Sequence, residues 1–270
     1  GIIDDLIVYK LEENKYLLVI NASNVQKDWE HLNFLNKNFN ADLNNISDNT
    51  SLLSIQGPNS TKLLNKISDF NFGTLKNYMN CVTNIAGIKK VIVASTGYTG
   101  AGGYEIYCDN KNVKLIWDTI FNEGEKFNIM PVGLAARDSL RIEMGYCLYG
   151  NEIDENISPI QAGLTWITKT ETNFHGSNRI KEDIENGCML TITGIKSEER
   201  IIPRKGNIIL NSSKNEIGVI TSGTFSPTLK TPIGIGFILK DNLNYNEEIF
   251  VDNDRKIFKA KISSLPFINS

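Results

Sequence analysis

Histidine is scarce in this chain, with two in 270 residues, and the four cysteines, Cys81, Cys108, Cys147 and Cys188, stand far apart with no CxxC pair. A zinc site needs ligands at short, repeated spacings, so no metal centre is expected, and the thiols read as reduced and structural, fitting a cytosolic or similar compartment. No apolar run is long enough to span a bilayer. Nor is there a large excess of one charge. Lys and Arg number 28 against 31 Asp and Glu, a net charge of -3, which argues against the whole chain binding nucleic acid or an anionic membrane. There is no starting Met, and Gly1 opens directly on an apolar segment, so the lack of a leader says little about targeting. What is present is a chain of 41% hydrophobic residues, long enough for a sizeable core and more than one domain.

The opening stretch, GIIDDLIVYKLEENKYLLVINASN, reads as a strand from Gly1 with a partner over Tyr16–Asn21, yet it carries adjacent aspartates. Strand parity puts Asp5 on the face of Ile3, Ile7 and Tyr9, and Asp4 on that of Ile2, Leu6 and Val8. A carboxylate beside an apolar layer needs a partner, an outward bulge or a task. Ser23-x-x-Gln26 has the form of a capping box, and Val25, Trp29, Leu32 and Leu35 recur at helical spacing, so a helix from about 24 to 39 with a core-facing stripe is expected. Gly57-Pro58 ends a strand at 51–55 and opens a second helix. Strands at 88–95 and 104–108 flank a glycine-rich turn, followed by a helix over 112–123. The irregular mixture points to α+β architecture with antiparallel sheets and flanking helices. Beyond about 186 short strands take over (188–195, 208–210, 217–222, 233–238, 248–251 and 259–262), the pattern of a C-terminal β domain of barrel or jelly-roll type. The expected division is therefore 1–185 and 186–270.

The glycine-rich turn, STGYTGAGGYEIY, matches neither phosphate-loop template. Gly103 stands where a Walker A lysine belongs, and Glu105 where a dinucleotide fingerprint needs its third glycine. A plain hairpin turn explains the glycines equally well. The alternative is functional: Tyr98 and the carboxylate of Glu105 beside closely approaching backbone suit a flat heterocycle offering adjacent N–H donors. Further on, GLAARDSLRIEMGYCLYGNEID sets Arg137 among Gly133, Ala135 and Ala136, small neighbours that suggest close packing around a guanidinium in need of a carboxylate. Surface ion pairing on an exposed helix is the competing reading.

Taken in order, GIIDDLIVY, YLLVINASN, QGPNSTKLL, TGYTGAGGYEI, GLAARDSLRIE, LYGNEID, SPIQAGLTW, FHGSNRI, PRKG and TSGTFSPTL resemble the aminomethyltransferases, the T-proteins of the glycine cleavage system, across the whole chain. The resemblance implies domains arranged around a central folate channel, tetrahydrofolate as acceptor substrate, and the lipoylated H-protein as partner and carbon donor. Ammonia would be released and methylenetetrahydrofolate formed. It also implies a cytoplasmic protein, or one of the mitochondrial matrix if eukaryotic. An N-terminal segment that the family carries ahead of the DDL motif is missing from this sequence; Ala101 and Gln161 replace family glutamates.

Carried across residue by residue, the resemblance makes Asp5 the catalytic carboxylate and Asp4 structural. Glu105 becomes the receiver of the pterin N–H groups with Tyr98 beside it, and Arg137 a folate-site arginine. Tyr9, Asn21 and Trp166 line the same pocket on resemblance. Other members of the superfamily, a folate-dependent demethylase, the folate domain of an amine dehydrogenase, or a non-catalytic folate-binding protein, are the alternatives; the last kind carries a KGCYxGQE-type motif that is absent here. Arg200 and Arg204 read as solvated loop residues, TSGTFSPTL as local architecture, and Cys147 as an inert buried thiol.

Overall fold

The computed structural model describes residues 1–245 and 247–268. By contact density the chain divides into two compact units, one made of Gly1–Asp5 with Leu134–Ser270 and the other of Leu6–Gly133.

The unit Leu6–Gly133 starts with an antiparallel hairpin, β1 (Ile7–Glu12) and β2 (Lys15–Val19). The strand begins at Ile7 rather than at Gly1. Parity therefore sorts Ile7, Tyr9 and Leu11 to one face, but it does not reach Asp4 and Asp5, which lie before the strand, half-buried and exposed respectively. Helix α1 (Val25–Asn36) follows a short 3₁₀ turn at Ala22–Asn24. The expected capping box is not formed: the N-cap is Asn24, and Gln26 bonds forward to Glu30. The stripe of Val25, Trp29, Leu32 and Leu35 is half-buried, while Asp28 is the buried residue of the helix.

Four antiparallel strands, β3 (Thr50–Gln56), β4 (Asn80–Ile85), β5 (Ile88–Ala94) and β6 (Gly103–Asp109), form a sheet in the order β3-β6-β5-β4. The strand β4 has no counterpart among the expected strands, since NCVTNI carries two asparagines, residues that strands disfavour. Helices α2 (Ser60–Ile67) and α3 (Asn110–Gly124) cover one face of the sheet, where Leu63, Leu64, Val91, Val93, Tyr104, Ile106, Ile116 and Ile120 make a core. The hairpin covers the other face through Tyr9, Ala94 and Tyr107, with Ile7, Leu17 and Ile92 around them. Alternation along β6 thus sends Tyr104, Ile106 and Cys108 toward the helices and Glu105 and Tyr107 toward the hairpin.

In the other unit, α4 (Leu134–Glu143) and α5 (Ser177–Asn186) precede a closed six-stranded barrel. Its strands are β7 (Leu190–Ser197), β8 (Ile208–Leu210), β9 (Glu216–Ser226), β10 (Thr231–Leu239), β11 (Glu248–Asp252) and β12 (Ile257–Ser263), close to the expected spans. Closure removes free sheet edges. The barrel interior is aliphatic, built on Ile195, Ile209, Ile220, Ile238, Val251 and Ile262 with Phe258. Strand β10 is buried on both faces, because its outer side packs Ile233 and Ile235 against Ile142 of α4 and Phe267. A run of alternating Ile and Gly without a polar side is what such a strand requires. The α+β class with antiparallel sheets and a C-terminal barrel is as the sequence implied. No helix of the described residues is long and apolar enough to cross a membrane.

Candidate functional site

Glu105 leaves β6 on the hairpin side, half-buried, in a line of hydroxyls. Thr96 donates to Glu105 Oε2 at 2.6 Å, Tyr107 donates to the same oxygen at 3.1 Å, and the Tyr9 hydroxyl lies 2.9 Å from Thr96 Oγ1. The rings of Tyr9 and Tyr107 meet edge to face with centroids 5.9 Å apart. Burial, joined by the charge of Glu105, raises the Tyr107 pKa far above the ordinary phenol value; burial raises that of Tyr9 too. Both phenols are therefore protonated at neutral pH, and Tyr107 acts as a donor to Glu105. Both donors converge on Oε2, and among the described residues Oε1 accepts no hydrogen bond. A carboxylate has about four lone-pair sites, so Glu105 has acceptor capacity to spare.

The glycines of STGYTGAGG serve the approach of one side chain. Gln56 reaches from the end of β3 to donate to Ser54 Oγ at 3.0 Å and to the carbonyl of Thr96 at 3.1 Å, and it accepts from Thr99 at 3.3 Å. A Cβ on Gly97 would come within 1.9 Å of Gln56 Oε1, and one on Gly103 within 2.6 Å of its Cδ. The loop is thereby tied to the sheet, and Thr96 is held where it bonds both Glu105 and Tyr9. Tyr98, in the same loop, is half-buried. Asn21 is half-buried at the N-cap of the 3₁₀ turn before α1, and Tyr9 is fully buried in the hairpin core. Of the expected site residues in this unit, the structure joins Tyr9 to Glu105 through Thr96, a residue the sequence reading passed over.

In the other unit the buried guanidinium belongs to Arg141, not Arg137. Arg137 is exposed on the first turns of α4, because its small neighbours face outward with it, whereas Arg141, one turn later, is 1% exposed. Its Nε donates to Asp138 at 2.8 Å, Nη1 to Glu152 at 2.9 Å and to the Tyr146 carbonyl at 3.0 Å, and Nη2 to Ser222 at 2.7 Å. Glu152 accepts in addition from Thr221 at 2.6 Å and the Leu148 amide at 2.9 Å. Glu143 is likewise enclosed by Ser226 and by the amide and hydroxyl of Thr228. TSGTFSPTL is thus more than local turn architecture: its hydroxyls receive and satisfy the charged side chains of α4 and LYGNEID. The nearest sequence signal was its density of hydroxyl residues.

Asp5 is exposed at the end of the segment Gly1–Asp5, and Trp166 is 66% exposed on a 3₁₀ turn at Thr165–Ile167. The Cys147 thiol is pushed up to about 12 by burial first, with the charges of Glu152 and Asp5 adding to the shift and Arg141 opposing it. It is inert at neutral pH, in keeping with the sequence reading. Arg200 and Arg204 are exposed, as expected. An open cavity of about 520 Å³ lies elsewhere, lined by Lys66, Asp69, Asn84, Thr119 and Glu123 among others, and none of the expected site residues borders it. Among the described residues no cluster of three or more His, Cys, Asp or Glu is placed to hold a metal ion.

Two family models match: the GCVT N-terminal domain over residues 1–172, and the glycine cleavage T-protein C-terminal barrel domain over 188–269. The chain is 42% identical over 267 residues to an aminomethyltransferase of Flavobacterium psychrophilum, and 43% over 269 residues to one of Bacteroides fragilis. In each case the match covers 99% of this chain and 74% of the relative. The crystal structure of glycine cleavage system aminomethyltransferase T from Bartonella henselae superposes with a TM-score of 0.88 at 30% identity, covering all of this chain and 73% of that one. Domain models over both parts, high identity along the whole length and a shared fold converge: the chain belongs to the aminomethyltransferase family, the T-proteins of the glycine cleavage system.

Proposed function

We propose that this aminomethyltransferase passes the carbon of an aminomethyl group, carried on the lipoyl arm of the H-protein, to tetrahydrofolate as acceptor substrate. In that reaction the carbon–sulfur bond breaks and the carbon bridges two folate nitrogens. The nitrogen of the aminomethyl group leaves as ammonia, and the thiol returns to the carrier. The two folate N–H protons go to ammonia and the thiol. Asp5 is the carboxylate at the reacting centre, where a negative charge stabilises the iminium-like carbon and relays a proton. Glu105 receives the pterin N–H donors, with Tyr98, Tyr9 and Asn21 as further pocket residues, and Arg137 and Trp166 are folate-binding residues as well. Four free thiols suit a reducing compartment such as the cytoplasm.

The observation that carries the ligand assignment is Glu105 itself. A half-buried carboxylate with both protein donors on one oxygen is oriented by the protein yet still able to accept. The alternatives within the superfamily have no observation in their favour. Calorimetry with tetrahydrofolate tests the reading: Glu105→Ala is expected to weaken binding by about 1–3 kcal/mol through unpaired donors on the ligand. Unchanged affinity would refute it. For the chemistry, Asp5→Asn is expected to lower ammonia release by about 10²–10⁴-fold while sparing folate affinity. Asp4→Asn, the control, is expected to leave turnover of the folded fraction nearly unchanged.

A further inference from the structure

Asp5 carries its proposed chemistry from a segment that has no regular secondary structure, since Gly1–Leu6 belong to neither strand nor helix. A catalytic carboxylate has to be held within about 0.5 Å of its working position. Something other than a ladder of backbone hydrogen bonds must hold this one.

One hold is visible at Ile2. Its amide donates to the Asp154 carbonyl at 2.8 Å, and its carbonyl accepts from the Tyr149 hydroxyl at 3.0 Å, so both polar groups of one residue are gripped by the same loop. Gly1 is pressed onto that loop as well, where a Cβ would come within 2.2 Å of the Glu155 carbonyl. From Ile2 to Asp5 is three residues, at most about 10 Å of chain.

The gripping loop is itself rigid. Gly150 donates to the Ile153 carbonyl at 2.8 Å, the amides of Asn151 and Glu152 return to the Leu148 carbonyl at 2.9 and 3.2 Å, and Asp154 Oδ1 accepts from the amides of Asn156 and Ile157 at 2.7 and 3.1 Å. At its centre Glu152, 0% exposed, roots the loop in Arg141 of α4 and Thr221 of β9. The charges of Glu152 and Asp5 both act on the Cys147 thiol, which places Asp5 within electrostatic reach of this network.

We infer that Tyr149 is a positioning residue for Asp5: its hydroxyl, with the Asp154 carbonyl, fixes Ile2 to a loop anchored by the buried Arg141–Glu152 pair, and so transmits the rigidity of the barrel to the catalytic carboxylate. This rests on the reading of Asp5 as the catalytic residue. Tyr149→Phe keeps the ring and removes the hydroxyl that grips the Ile2 carbonyl.

The test compares the wild-type chain, Tyr149→Phe and Asp5→Asn in ammonia release from aminomethylated H-protein with tetrahydrofolate, in thermal melting, and in residue-resolved amide hydrogen exchange. Tyr149→Phe is expected to lower kcat by about tenfold, in the range that loss of alignment produces. Its KM for tetrahydrofolate is expected to stay within about twofold, because a displaced catalytic group lowers kcat without removing ground-state binding. The Ile2 amide is expected to exchange faster than in the wild type while barrel amides and the melting curve do not change. An Ile2 amide that exchanges at the wild-type rate in Tyr149→Phe overturns the inference whether or not turnover is measurable. Unchanged kcat in Tyr149→Phe alongside a severely impaired Asp5→Asn overturns the positioning role and leaves Asp5 standing. Full turnover in Asp5→Asn overturns the reading of Asp5 and this inference with it. A fall in kcat accompanied by a lower melting temperature and faster exchange throughout the unit reduces Tyr149 to a structural residue, which also overturns it.

Discussion

Glu105 and Glu152 are both carboxylates set among hydroxyl groups, one in each unit, and they are treated in opposite ways. Glu152 is fully enclosed, and its two oxygens are occupied by Arg141, Thr221 and the Leu148 amide. Glu105 is half-buried, with Thr96 and Tyr107 both on Oε2. A buried charge without full compensation is costly, so Glu152 is saturated and tied to the fold. A partly hydrated carboxylate bears incomplete pairing at little cost, which leaves capacity for a ligand. The number of partners around a carboxylate, more than its surroundings alone, separates an anchor from a group with acceptor capacity to spare.

The largest effect that tests this contrast is Glu152→Ala, which leaves Arg141 buried beside an empty acceptor position. A loss of about 3–5 kcal/mol in chemical denaturation is expected. A loss below about 1 kcal/mol would erase the distinction between the two sites. Glu105→Gln is the opposite case: it keeps the shape, shifts stability by less than about 1 kcal/mol, and weakens tetrahydrofolate binding by about 1–3 kcal/mol. Stability and binding should therefore separate cleanly between the two glutamates, and a variant that moves both together would merge them.

A smaller effect belongs to Tyr107, whose folded-state pKa is raised by burial above the unfolded value of 10.0. The folded state therefore holds the proton more tightly than the unfolded chain. This contribution is fully present below pH 10 and is lost as pH rises beyond it. Tyr107→Phe is expected to cost about 0.5–1.5 kcal/mol at neutral pH through the lost hydrogen bond. It is also expected to flatten part of the decline in stability seen in alkaline denaturation curves. An alkaline decline as steep as in the wild type would place the titration elsewhere. The smallest effect is at Cys147, with its thiol pushed up to about 12. Alkylation at pH 8 should leave it unlabelled in the folded protein and label it after denaturation, with no loss of activity from the treatment at that position. Rapid labelling of the folded chain would contradict its burial beside Glu152.

Much of the architecture follows from local pattern. The strands of the barrel, the helix after Gly57-Pro58 and the α+β class are legible because alternation, turn residues and apolar spacing act over a few neighbouring positions. Elsewhere the local signal is weak: β4, with Asn80 and Asn84 in it, does not stand out as a strand, and a 3₁₀ turn at Ala22–Asn24 takes the place of the Ser23 capping box. Strand parity does not govern Asp5, because β1 begins only at Ile7. At the site, Glu105 could be singled out as a carboxylate on the strand leaving a glycine-rich turn, and alternation along β6 puts it on the same face as Tyr107. Thr96 could not, since nothing nearby in the chain announces its bonds to Tyr9 and Glu105.

The sequence by itself determined which residues alternate on each strand, where the barrel strands lie, and, through ten ordered motifs, the family. Only the tertiary structure decided which charges are anchors. Arg141 rather than Arg137 is buried because its partners arrive from elsewhere in the chain, Glu152 from 11 residues away and Ser222 from 81. Thr221 likewise meets Glu152 across 69 residues, and Ser226 meets Glu143 across 83. Periodicity records which face a side chain occupies, but it holds no record of what packs against that face. A hydrogen bond between side chains far apart in sequence depends on the path of the whole chain, and so it comes into being only when the chain has folded.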